Sequence, residues 1–358
     1  MKEFNNNCLA LYLASQLLLL VLFAGRLRGE IIFSDDFETG NLSDHWEEIK
    51  ATRQGDAELE TRSEYVFEGT RSLRLTAVAN GGQVALAQTA HWFMPGYDQL
   101  YYRWYAKFSA DFDQGNFMHW VLIGGNSIYD KWSASGKAGL RPTGRDFFAT
   151  SLETWRGWGR YPPPGAMNFY TYFPEMTASP DGYYWGNQFQ PRVPFLIERN
   201  RWYCFEFMVK LNQPGVHDGE QAFWIDGVKI YNQKDIRWRD VDFLKLNLFW
   251  FSVYIHESRQ DNTCWFDNLV ISTDYVGPLA AAPAATRQCC DFDLDGISGR
   301  TDFMQLLLMK RDEPEDGRGD YNRDGRNTIA DALQLLLDQR AGKCGSGIAA
   351  LSGGRTGK

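Results

Sequence analysis

The 358-residue chain is short of several features, and each shortage narrows its reading. It has no excess of basic charge. The formal net charge is −8, which argues against a nucleic-acid partner, because phosphate backbones are held by clustered Lys and Arg. It has no Cys-x-x-Cys pair, the usual spacing of a structural zinc site. Beyond the first 25 residues no run is long and apolar enough to span a bilayer. Between residues 30 and 277 no long segment repeats apolar residues at helical spacing, so that stretch is not expected to be built from helices.

The one long apolar run stands at the start. "CLALYLASQLLLLVLFAG" follows a short polar segment and is ended by "RLRGE". Residues 1–29 therefore read as a secretory signal peptide, with a single membrane anchor as the other reading. The mature chain is expected to be secreted, extracellular or attached to a cell surface, with no membrane span once the leader is removed. Of six cysteines, Cys8 lies in the leader, and Cys204, Cys264, Cys289, Cys290 and Cys344 remain. An exported chain can oxidise them. Cys289 or Cys290 with Cys344 would tie together the ends of the C-terminal segment. Cys204 with Cys264 is the expected second bridge, since both lie in strand-like runs. An odd count leaves one thiol over. The alternative is that all are reduced and buried.

Residues 30–277 read as all-β, with runs such as "LYYRWYAKF", "FMHWVLIGG", "MNFYTYF", "RWYCFEFMVKL" and "LKLNLFWFSVY" separated by Gly, Pro, Asn and Asp. So many strands predict a two-sheet jelly-roll sandwich. Alternation then sorts the side chains. In "YYRWYAKF", Tyr102, Trp104, Ala106 and Phe108 form a core face, and Tyr101, Arg103, Tyr105 and Lys107 face away. In "MNFYTYF", Asn168, Tyr170 and Tyr172 oppose Met167, Phe169, Thr171 and Phe173. In "FMHWVLIGG", Met118, Trp120 and Leu122 alternate with Phe117, His119 and Val121. Three strands thus offer Arg103, Lys107, His119, Asn168, Tyr170 and Tyr172 to a groove. Aromatic rings stack on sugar faces, and cations suit a carboxylated sugar. The expected partner is an acidic polysaccharide.

A Pro-containing, small-residue linker, 278–288, separates this domain from a C-terminal segment, 289–344, and a tail, 345–358, expected to be disordered. In "DFDLDGISGRTD", Asp291, Asp293, Asp295 and Asp302 fall at positions one, three, five and twelve, with Gly296 at six and the Ile297 carbonyl at seven. That is the ligand pattern of an EF-hand loop. It recurs in "DYNRDGRNTIAD" as Asp320, Asn322, Asp324, Gly325, Arg326 through its carbonyl, and Asp331. Each loop precedes an amphipathic run, "FMQLLLMKR" and "ALQLLLDQR". Two Ca2+ ions are expected in a small all-α domain. Aspartate at position twelve, and one loop with one helix, resemble the dockerin family over Cys290 to Cys344. The resemblance implies a cohesin-bearing scaffold or cell-surface protein as partner. Arg300-Thr301 and Ile329-Ala330 stand where many dockerins carry Ser-Thr.

"FYTYFPEM", the following "YYWGN", "WRGWG" and the closing "CWFDNLVISTDYVGP" resemble the jelly-roll polysaccharide lyases of the alginate and glucuronan lyase group. The "MHWVLIGG" strand is similar to one that carries a catalytic lysine in some of them; His119 stands about there. The resemblance implies a β-elimination: proton removal at C5 of a uronic acid and expulsion of the C4 oxygen. Arg103 or Lys107 would stabilise the carboxylate. His119, since histidine is the side chain that changes charge nearest neutral pH, or an ionised tyrosine would be the base. Tyr170 or Tyr172 would be the acid. Tyr105, Lys107, Asn168 and Tyr184 are candidate substrate contacts. Two other readings stand beside it: a non-catalytic, lectin-like glycan binder, and a glycoside hydrolase of the same sandwich fold. The hydrolase needs a rigid acid pair. The nearest run to the Glu-x-Asp-x-x-Glu strand of jelly-roll glucanases is "ELETRSE", which does not match it.

Overall fold

A computed structural model describes residues 29–279. The expected signal peptide up to residue 28, the linker from residue 280, both calcium loops, and Cys289, Cys290 and Cys344 lie outside the described residues.

The described chain runs β1 (Ile31–Asp35), β2 (Glu48–Ala51), β3 (Ala57–Glu60), β4 (Ser72–Ala77), β5 (Ala85–Tyr97), β6 (Gln99–Phe108), β7 (Met118–Ser127) and β8 (Phe147–Trp155). It continues β9 (Gly165–Tyr172), β10 (Asn187–Phe189), β11 (Leu196–Ile197), β12 (Trp202–Lys210), β13 (Gly219–Ile225), β14 (Val228–Ile236), β15 (Leu244–Ile255) and β16 (Asn262–Ser272). Two one-turn 3-10 helices are the only helical elements among the described residues. The strands form two eight-stranded antiparallel sheets. The first has the order β14-β13-β12-β6-β16-β4-β3, with β1 on β16. The second has the order β10-β9-β8-β7-β15-β5-β2, with β11 on β9. This is the two-sheet jelly-roll sandwich expected from the alternating runs.

The core lies between the sheets. Tyr102, Trp104, Ala106 and Phe108 of β6 point into it and are fully buried. They meet Phe249, Phe251 and Trp120 from the second sheet. The Tyr102 and Phe249 rings stack at 5.6 Å, and Trp104 meets Trp120 edge-on at 5.8 Å. Truncating a buried ring of this size costs about 3–5 kcal/mol. One hydrogen-bonded polar set crosses the core. Thr150 of β8 donates to Oε1 of Gln221 on β13 at 2.7 Å and lies 2.9 Å from Thr171 of β9. That set ties β8 and β9, which carry much of the site, to the opposite sheet.

Three expectations are corrected here. First, Cys204 and Cys264 are free and buried. They flank β6 from opposite sides, Cys204 opposite Tyr105 and Cys264 opposite Phe108. Two strand spacings, about 9.6 Å, separate their strands, beyond the Cα reach of a disulfide, about 7 Å. Cys264 also belongs to the core cluster, whereas Cys204 lies on the far side of the sheet with Tyr105. Second, alternation breaks in β7. Trp120 and Val121 both enter the core, so Leu122, not Val121, shares the outer face with His119. The β7–β15 register slips by one residue at the same place: Val121 pairs with Phe251, but His119 with Tyr254.

The third correction concerns the basic residues of β6. Arg103, Tyr105 and Lys107 do face away from the core, but on the first sheet, not on the sheet that carries His119, Tyr170 and Tyr172. Each is occupied there. Arg103 donates to the Asn268 carbonyl at 2.7 Å, Lys107 donates to the Glu64 carbonyl at 2.9 Å, and the Tyr105 hydroxyl accepts from the Leu279 amide at 2.7 Å. They brace the outer surface of the first sheet and do not reach the groove.

Candidate active site

The outer face of the second sheet carries a groove of about 350 Å³. Its floor is apolar at one end, where Trp92 of β5 and Leu248 of β15 pack with Leu122 and Trp250. One wall is the loop after β7, whose Lys131, Trp132 and Lys137 line the groove. The Lys131 ammonium lies 4.8 Å from the Trp92 ring centre. Neither Lys131 nor Lys137 has a carboxylate partner among the described residues. Lys50, at the β2 edge, is paired with Glu48. Unpaired cations along an apolar floor suit a ligand that carries both a carboxylate and a ring face.

The floor becomes polar where β7, β8, β9 and β15 run side by side. Alternation on β8 sends Phe148, Thr150 and Leu152 inward and brings Ser151 and Glu153 to the outer face. The Glu153 carboxylate Oε2 lies 3.0 Å from His119 Nδ1. Glu153 is buried, and burial raises its pKa, an effect partly offset by the neighbouring His119. A carboxylate at Nδ1 fixes the imidazole so that Nε2 faces outward. That Nε2 lies 3.2 Å from Nε2 of His256. Partial burial, and then the proximity of His119, push His256 down to about 4, so it is neutral near pH 7. Two facing Nε2 atoms at this distance share one hydrogen.

Tyr170 completes the cluster. Its ring centre lies 5.1 Å from that of His119 and 5.7 Å from that of Tyr172. Burial, and then Tyr172, raise the Tyr170 pKa, so its hydroxyl is a held proton. Gly186 sets the ring's position. A Cβ there would lie 2.6 Å from ring atoms of Tyr170, so only glycine lets the ring lie against the backbone just before β10. The Tyr172 hydroxyl accepts from the Gly139 amide at 3.3 Å, which pins the loop that carries Lys131 and Lys137.

Of the candidates named from sequence, the structure brings His119, Tyr170 and Tyr172 together. Asn168 shares their face but is wholly buried, its amide donating to the Glu153 carbonyl at 3.2 Å. Tyr184 bridges to Gly139 beneath Arg141 and is not among the groove-lining residues. Sequence reasoning missed Glu153 as the partner of His119, and also His256, Lys131 and Lys137. Glu153 stands in the strand-like run "DFFATSLETW", where a carboxylate is the available sequence signal. The lysines lie in a loop, where period-2 reasoning has no purchase.

No family model matches the sequence, and no curated protein matches it. Among solved structures, a marine alginate lyase from Aplysia kurodai is similar at 16% identity and a TM-score of 0.53, over 68% of this chain and 100% of that one. An endo-β-1,4-glucuronan lyase from the fungus Trichoderma reesei is similar at 15% identity and a TM-score of 0.44, over 68% and 96%. The alginate lyase vAL-1 from Chlorella virus is similar at 15% identity and a TM-score of 0.49, over 68% and 100%. The likeness to the Aplysia kurodai chain shows a shared fold. No helix among the described residues is long and apolar enough to cross a membrane.

Proposed function

We propose that the chain is a polysaccharide lyase that cleaves a uronic-acid-containing glycan by β-elimination. The observation that carries this reading is the His119–Glu153 pair set against the protonated Tyr170, in a groove walled by unpaired lysines. That the structure sharing the fold at the higher TM-score is an alginate lyase agrees with it.

The residues divide the work as follows. Lys131 and Lys137 draw the uronate carboxylate and stabilise the charge that spreads onto it as the C5 proton leaves. His119, held by Glu153, offers Nε2 as the base, and the substrate C5–H takes the place of His256 at that atom. The C5–H electron pair becomes the C4–C5 double bond as the C4–O bond breaks. Tyr170 gives its proton to the departing oxygen, which suits a phenol that burial keeps protonated. The proton on His119 then restores Tyr170, whose ring lies beside it. This assigns the acid to tyrosine and the base to histidine, narrowing the choice left open by the sequence. Arg103 has no part in it.

The test is a screen of the full chain against alginate, glucuronan, ulvan and a neutral glucan. Elimination leaves an unsaturated uronate that absorbs in the ultraviolet. Absorbance gain on a uronate and none on the glucan is expected. Binding without absorbance gain would favour the lectin-like reading, and reducing ends released without it would favour a hydrolase.

We propose further that residues 289–344 form a dockerin-like attachment module on a secreted chain. The support is the doubled spacing of Asp291, Asp293, Asp295 and Asp302, and of Asp320, Asn322, Asp324 and Asp331. With the carbonyls of Ile297 and Arg326, these residues would hold two Ca2+ ions. The ions would neutralise the crowded carboxylates and fold the module for a cohesin-type partner. Equilibrium dialysis of the full chain should find two Ca2+ bound, and none after Asp291→Ala with Asp320→Ala. Unchanged binding in that variant would sink the proposal.

A further inference from the structure

We infer that a second cleft, reached past His256, is a sugar-binding subsite continuous with the groove, in which a pyranose ring lies on Trp158. The cleft, about 350 Å³, is lined by Phe117, Arg156, Trp158, His256 and Arg259. It meets the groove at the imidazole pair, since His256 Nε2 lies 3.2 Å from His119 Nε2. An unbroken aromatic path runs across that junction. Trp158 meets Phe117 edge-on at 5.0 Å, Phe117 meets His256 at 6.3 Å, His256 meets His119 at 5.0 Å, and His119 meets Tyr170 at 5.1 Å. A polymer lying over His119 therefore has an aromatic surface to continue onto.

Trp158 is held in a way that folding alone does not call for. Its side chain is 75% exposed. Its backbone is left-handed, with φ of 59°, between Gly157 and Gly159, which are left-handed too. A bulky residue in that region costs about 1–3 kcal/mol unless the surroundings enforce it. Asn116 enforces it, its side-chain oxygen accepting from the Trp158 amide at 2.7 Å. The chain thus bears strain to present a large ring to solvent, beside a second exposed ring, Phe117.

The charges give the subsite a different character from the groove. Arg156 is paired with Asp113 at 2.8 Å, and Arg259 with Glu257 at 3.2 Å, so the cleft's cations are matched by carboxylates. Lys131 and Lys137 in the groove are not so matched. The lysine end selects the uronate, and the Trp158 end takes a sugar by its apolar face whether or not it is charged. The preferred substrate is then a chain longer than the groove, with a neutral sugar tolerated at the far end.

The inference rests on the lyase reading for its kinetic arm only; its binding arm stands without it. Trisaccharides and octasaccharides from alginate and from glucuronan are titrated into the full chain by calorimetry, with elimination rates measured alongside. On the octasaccharide, Trp158→Ala should weaken binding, and raise KM if elimination occurs, about tenfold or more. On the trisaccharide, and in kcat, it should change little. Trp158→Phe, which keeps a ring, should recover most of the loss. Added salt should leave the Trp158 effect unchanged. Equal binding of the octasaccharide by wild type and Trp158→Ala would overturn the inference. So would an equal loss on both lengths, or a wild type that binds the octasaccharide no more tightly than the trisaccharide.

Discussion

Replacing Glu153 by glutamine separates the catalytic role of the buried carboxylate from any structural one. The side chain keeps its length, and its remaining oxygen can still accept from His119 Nδ1. What is lost is the charge that holds His119 in one tautomer and stabilises it when protonated. Glutamine can also turn its amide toward Nδ1 and fix the other tautomer. Loss of the carboxylate behind a catalytic imidazole, or of general base catalysis, costs about 100- to 10,000-fold in rate. Stability should move the other way. Burial raises the Glu153 pKa, so ionising it in the folded chain costs free energy. That cost is absent at acid pH, where the carboxyl is protonated folded and unfolded. It grows as pH rises from the unfolded value, about 4.3, through the folded one. Glu153→Gln never bears it, so at pH 7 its Tm should equal or exceed that of the wild type. Steady-state elimination and thermal melts at pH 5 and pH 7 read both effects. A well-folded variant with the wild-type kcat would refute the assignment of His119. A fall in Tm matching the loss of activity would show that Glu153 acts as a packing group.

Other outcomes follow from the same geometry. Tyr170→Phe keeps the ring beside His119 and removes only the held proton, so kcat should fall about 100- to 10,000-fold while glycan affinity by calorimetry changes little. Lys131→Ala with Lys137→Ala should raise KM on a uronate polymer and leave binding of a neutral glucan unaltered. Its effect should shrink above physiological salt, where screening acts within about 8 Å, and salt-independence would refute the contact. On the first sheet, burial raises the Glu206 pKa from 4.5 to about 7, although its carboxylate accepts from the Val276 and Gly277 amides. That group's contribution is complete below the unfolded value and is lost as pH rises through the folded one. The Tm of wild type should therefore lose, between these two values, a component that Glu206→Gln lacks. Parallel Tm–pH curves for the two proteins would contradict this.

Alternation made the core legible. Tyr102, Trp104, Ala106 and Phe108 were separable from Tyr101, Arg103, Tyr105 and Lys107 by period alone, and all four of the first set are fully buried. Period 2 tells which residues share a face of one strand. It does not tell which sheet the strand joins, and a sandwich has two outward faces. Arg103 and Tyr170 look equivalent in sequence, yet they lie on opposite outer surfaces of the molecule. The slip at Trp120–Val121 was hidden for a related reason: both residues are apolar, so nothing in the pattern marks the bulge. Glu153 and His119 are 34 positions apart and meet only because β7 and β8 pair. The unpaired cations of the groove, Lys131 and Lys137, come from a loop, whose course is set by contacts such as Tyr172 to Gly139 rather than by any period. Cys204 and Cys264 each sit in a strand, as read, but two strands apart and on opposite faces.

The central claim is the bond-breaking chemistry, and the fate of solvent oxygen tests it most directly. The full chain is incubated with its best uronate polymer in water enriched in heavy oxygen, and the products are weighed by mass spectrometry. Elimination cleaves the C4–O bond without water, so the fragments should carry no heavy oxygen from cleavage, and one of each pair should be unsaturated. Heavy oxygen at the cut in a saturated product, above the amount a reducing oligosaccharide takes up by anomeric exchange in the same time and with no unsaturated partner fragment, would mean hydrolysis. The assignment of His119 as a base for C5–H and of Tyr170 as the acid for the leaving oxygen would then be wrong.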